Sequence, residues 1–92
     1  MTRALVAPNA AETVPTSVTM RQARLALLAA GKLAAVQSAI DALSEPTKTA
    51  AQIEWEYSNE VQRHNGLVAA LGPALNLTSD QIDTLFIGAA KL

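Results

Sequence analysis

The sequence contains no cysteine, which excludes a disulfide framework and thiolate chemistry. Aromatic side chains are scarce: one tryptophan, one tyrosine and one phenylalanine in 92 residues. Strand-forming runs of β-branched and aromatic residues are correspondingly nearly absent. Histidine occurs once, at His64. Neither sign of charge dominates, and the formal net charge is −1. With the charges scattered, there is no basic stripe to follow a phosphate backbone, which argues against nucleic acid as a partner. No apolar run approaches the roughly 20 residues that span a bilayer, so no membrane contact is expected. The opening MTRALVAPNAAETVP lacks the charged head and long apolar stretch of a signal peptide. These features suit a chain made in the cytoplasm.

What is present is alanine and leucine, which supply most of a composition that is 50% hydrophobic. Alanine loses no side-chain entropy in a helix and leucine loses little. The length fits one domain with a modest core, whose stability is a small difference between large terms. Self-association or a partner chain would add to it. The expected fold class is all-α: a small bundle of four to five short helices with an extended N-terminal arm. The arm is assigned to residues 1–17 and the helical domain to residues 18–92.

Within the arm, Pro8 and Pro15 bracket Asn9 to Val14, and no helical stripe persists. A terminus that nothing ties down is commonly disordered. The alternative favoured here is docking, with Leu5, Val6 and Val14 lying on a neighbouring subunit or partner. The helices then follow in order. Thr19 and Gln22 have capping-box spacing, Met20–Ala30 carries Leu25 and Leu28 on one face, and Gly31 is placed to end the helix. Leu33, Val36, Ile40 and Leu43 form the next amphipathic stripe, so soon after the first that an antiparallel or steeply angled pair is predicted. Pro46 opens a third helix expected over residues 46–64, with Ala50, Ile53, Tyr57 and Val61 as its buried stripe. Asn65-Gly66 reads as a break. Residues 66–76 hold a short helix that Gly72-Pro73 either kinks or loosens. Thr78 and Gln81 repeat the capping box before a last helix that buries Ile82, Leu85, Phe86 and Ala89.

Groups able to do chemistry do not converge. Glu60 stands four residues before His64, which gives two candidate ligands, short of a metal site. Glu56 and Glu60 share the same spacing, and a solvated helix face accounts for them. The serines occupy caps, turns and polar faces, without a G-x-S-x-G setting, and no phosphate-cradling glycine motif occurs. No enzyme activity, cofactor, metal or small-molecule substrate is expected. Trp55 stands apart from the Ile53–Tyr57–Val61 stripe. It could cover a second helix of its own chain or lie against a partner, since tryptophan is enriched at interfaces.

From Val18 to Leu92 the sequence resembles short proteins encoded in the tail-fibre region of tailed phages and prophages. The resemblance is carried by TMRQARLALLAAGKL at 19–33, AQIEWEY at 51–57, LVAALGPALNLTSDQIDTLF at 67–86 and the closing AAKL. It implies a virion tail or tail-assembly protein with no activity of its own. The expected role is a structural component of a tail tip, baseplate or tail-fibre attachment, located in the virion. Its expected partner is a tail or tail-fibre protein, with a homo-oligomer also possible. An assembly chaperone that is not retained in the particle is the alternative.

Overall fold

The computed structural model describes residues 13–92. In chain order these form strand β1 (Ser17–Thr19), helix α1 (Met20–Ala29), a 3-10 turn (Leu33–Ala35) and helix α2 (Val36–Asp41). Helix α3 (Thr47–Tyr57), strand β2 (Glu60–Gln62), helix α4 (Gly66–Ala74) and helix α5 (Ser79–Ala89) complete the fold. It is a small, mostly helical bundle, as the composition predicts, with a two-stranded sheet that the composition does not predict.

The helix starts are local and follow the sequence. Thr19 Oγ1 accepts from the Gln22 N–H, and Gln22 Oε1 accepts from the Thr19 N–H. Thr78 and Gln81 do the same for α5. Each reciprocal pair satisfies donors that a helix start leaves orphaned.

Two helix ends use a left-handed residue. Gly31, at φ +75°, follows α1, and Asn76, at φ +60°, follows α4. After α1 the Gly31 N–H donates to the Leu28 carbonyl, and the Lys32 N–H to that of Leu27. After α4 the Asn76 and Leu77 N–H groups reach the Pro73 and Gly72 carbonyls in the same pattern. These are two Schellman ends, one built on glycine and one on asparagine. Beyond the first, the helical direction turns by 109° into the 3-10 turn and α2, so the steeply angled form of the predicted pair is the one adopted.

Residues 66–74 are one helix with Pro73 inside it. Proline removes the bond that would reach the Ala69 carbonyl. Ala69 and Pro73 both lie on the exposed side, where water can replace that bond.

The core is assembled from one face of each helix and from the sheet. Val36 and Ile40 are the most deeply buried large side chains, with Leu33 and Leu43 packed against the core beside them. Leu67 and Leu71 line α4 and Leu75 follows at its C-cap, while Phe86 and Ala89, flanked by Ile82 and Leu85, line α5. Helix α1 packs on α5, and α4 packs on α2 and α3. On α1 the inward residues are Met20, Ala26 and the half-buried Leu27, whereas Leu28 is exposed.

The third helix is shorter than predicted. It stops at Tyr57, where Ser58 turns extended and its hydroxyl donates to Glu54 Oε1. Serine is a weaker helix former than the alanine and leucine that fill the other helices. The chain then pairs antiparallel with β1, placing Val18 opposite Val61, both buried. The Met20 N–H to the Asn59 carbonyl, and the Arg63 N–H to the Thr16 carbonyl, extend the ladder at both ends. Val61 is therefore buried by a strand and not by a helix stripe.

Candidate functional site

Helix α3 positions the surface of greatest interest, because it carries apolar side chains on two opposite sides. Its inner side is Ala51 and Trp55, the latter 8% exposed. Its outer side is Ala50, Ile53 and Tyr57, all exposed, with Tyr57 at 75% and Ile53 at 53%. The stripe predicted as buried is thus the solvent face. The residue predicted to stand apart from it is in the core. Burial of the tryptophan removes the largest apolar surface on the helix from water, and that outweighs the loss from exposing isoleucine and tyrosine.

Trp55 is held from outside by Arg24. The guanidinium carbon lies 4.0 Å from the ring centroid, and Nη2 donates to the Trp55 carbonyl at 2.6 Å. Such a contact supplies cation–π attraction and a charge-assisted hydrogen bond together. Trp55 accordingly covers its own chain. As a partner-binding residue it is corrected to a core residue, because its ring is used by the fold.

The other partner-binding candidates are divided. Leu5 and Val6 lie outside the described residues. Val14 is half-buried and packed against the chain's own core.

Arg63 is the one buried charged side chain among the described residues. Its Nε donates to Asp83 Oδ1 at 2.6 Å, and Nη2 reaches the Ser79 carbonyl and hydroxyl. Every polar contact goes to the first turns of α5, so the group ties the end of β2 to that helix. A two-residue alternation offers a signal for it: Val61 in, Gln62 out, Arg63 in. That alternation is invisible while the segment is read as helix.

Among the described residues the carboxylates and the histidine do not converge. Glu60 is on β2 and His64 beyond it, both exposed, so the helical spacing proposed for Glu60 with His64, and for Glu56 with Glu60, does not exist. Glu56 instead accepts from Gln52 Nε2 at 2.9 Å. Among the described residues no three His, Cys, Asp or Glu side chains stand close enough to hold a metal ion. Glu45 stands exposed just before α3. Hydrogen bonds from the Thr49 hydroxyl and backbone N–H hold its carboxyl below the ordinary carboxylate range.

Inside the bundle lies an apolar cavity of about 80 Å³, lined by Ala26, Leu27, Val61, Leu71, Leu85 and Phe86 among others. Its walls offer no polar group to orient a substrate, as ligand sites do. It reads as incomplete packing of a core rich in small side chains. Among the described residues, the remaining exposed large apolar residues are Leu28 and Leu92.

Compared with known proteins, the chain matches no family model, no curated protein and no solved structure.

Proposed function

We propose that this chain is a non-enzymatic structural component of a phage tail, acting at a tail tip, baseplate or fibre attachment through contacts with another protein. The observation that carries the protein-contact part is the outer face of α3. There a small domain keeps Ile53 and Tyr57 in solvent while its core is filled by other residues. Exposed apolar groups gathered on one element mark interaction surfaces more often than singly scattered ones do. The tail assignment rests on the sequence resemblance carried by residues 19–33, 51–57 and 67–86.

Mass spectrometry of purified particles tests it. The chain is expected at a fixed ratio to the tail proteins. Its absence from particles would overturn the structural role. Absence from particles together with co-purification with unassembled fibre protein would favour the chaperone reading instead.

A further inference from the structure

We infer that the outer face of α3 docks an amphipathic helix of another protein, one whose apolar ridge is flanked by lysine or arginine. This rests on the protein-contact reading above and adds the chemistry of the partner.

At about 100° per residue, Ala50, Ile53 and Tyr57 fall within roughly 60° of the helix circumference. All three are exposed, and they repeat at the three- and four-residue spacing that a partner helix can interdigitate with. On the same wheel Glu56 falls just beyond Ile53, and Glu54 just beyond Ala50. Both carboxylates are exposed, so the ridge has an acidic border on each side. On the Glu54 side the surface is concave. Ala50, Glu54, Pro46 and Thr47 line a groove of about 430 Å³ with Asn65 and Gly66 at the start of α4.

The negative charge is local to the segment that carries this face, and Glu54 and Glu56 are its members on the ridge borders. Residues 45–60 hold four glutamates and one lysine. Elsewhere the chain has four carboxylates and six Lys or Arg. Lys48, the one cation of the segment, falls on the opposite side of the helix and is half-buried. Nothing on the α3 ridge therefore neutralises its borders, and a partner with basic flanks would. The same borders select against other occupants. Two copies of α3 set ridge to ridge would bring Glu54 and Glu56 of each against those of the other, and like charges in such positions disfavour pairing. An anionic lipid surface is repelled for the same reason.

Two synthetic amphipathic peptides with an identical leucine ridge test this, one flanked by lysine and the other by glutamate. Binding of each labelled peptide to the full chain is followed by fluorescence anisotropy. The lysine-flanked peptide is expected to bind at least about tenfold more tightly, and added salt should narrow that margin. Ile53→Ser with Tyr57→Ser should weaken its binding by about tenfold or more. Glu54→Lys with Glu56→Lys should reverse the preference between the peptides. All four side chains are exposed, and unchanged thermal melts confirm that the variants fold.

Equal binding of the two peptides, no binding of either, or binding untouched by both double variants would overturn the inference. So would sedimentation showing the chain dimerising through Ile53 and Tyr57. A chain present in particles yet indifferent to peptide charge would sink this surface while leaving the tail role standing. A chain with the expected peptide preference but absent from particles would do the reverse.

Discussion

The two sides of α3 differ less in composition than in what stands opposite them. The outer side offers isoleucine, tyrosine and alanine, and the inner side tryptophan and alanine. By count of apolar residues the outer side is the better core face. The inner side is nonetheless the buried one, because α4 packs there and Arg24 of α1 closes over Trp55. Periodicity identifies which residues share a face. It does not say which of two apolar faces the rest of the chain will cover.

The largest expected effect is on the inner side. Trp55→Ala should cost about 3–5 kcal/mol, the range for removing a buried aromatic, and chemical denaturation would measure it. A loss under about 1 kcal/mol would place the ring at the surface and erase the contrast. Next comes the cover over that ring. Arg24→Gln removes both the stacking cation and the charged donor to the Trp55 carbonyl, and should cost about 1–2 kcal/mol by the same measurement. On the outer side Tyr57→Ala and Ile53→Ser should each change stability by no more than about 0.5 kcal/mol, as exposed sites do. Differential scanning calorimetry beside Trp55→Ala would make the comparison direct.

The smallest effect lies at the start of α3 and depends on pH. The Thr49 hydroxyl and N–H hold the Glu45 carboxyl below its ordinary range. A carboxyl whose pKa is lowered on folding contributes stability above its unfolded pKa. That contribution is lost as pH falls through the folded value. The native chain should therefore melt slightly above Glu45→Gln at neutral pH, and the gap should close in acid. A gap that widened on acidification would contradict the assignment.

What was legible in the sequence was the local chemistry. Thr19 with Gln22, Thr78 with Gln81, and Gly31 act through atoms a few residues away, so their spacing is sufficient information. The stripe from Leu33 to Leu43 and the face from Ile82 to Ala89 were legible because most of the large apolar residues of each segment fall on one side. The missed features depend on distant partners. Strand β2 exists because Val61 meets Val18, some 40 residues earlier in the chain, and no glycine or proline marks the end of α3 before it. Three residues of strand carry too little alternation to compete with a helical period running from Ala50 to Val61. Arg63 was missed for the same reason, since its burial follows from the strand and from Asp83 and Ser79 on α5. The candidate surface was legible as a set of residues and misread in its facing. Leu5 and Val6 lie outside the described residues.

Hydroxyl-radical footprinting read by mass spectrometry tests that facing most directly, because the chain has a single tryptophan and a single tyrosine. With each residue's labelling in the folded chain divided by its labelling in denaturant, Tyr57 and Ile53 should be nearly unprotected and Trp55 strongly protected. Protection of Tyr57 and Ile53 with Trp55 freely labelled would contradict the account.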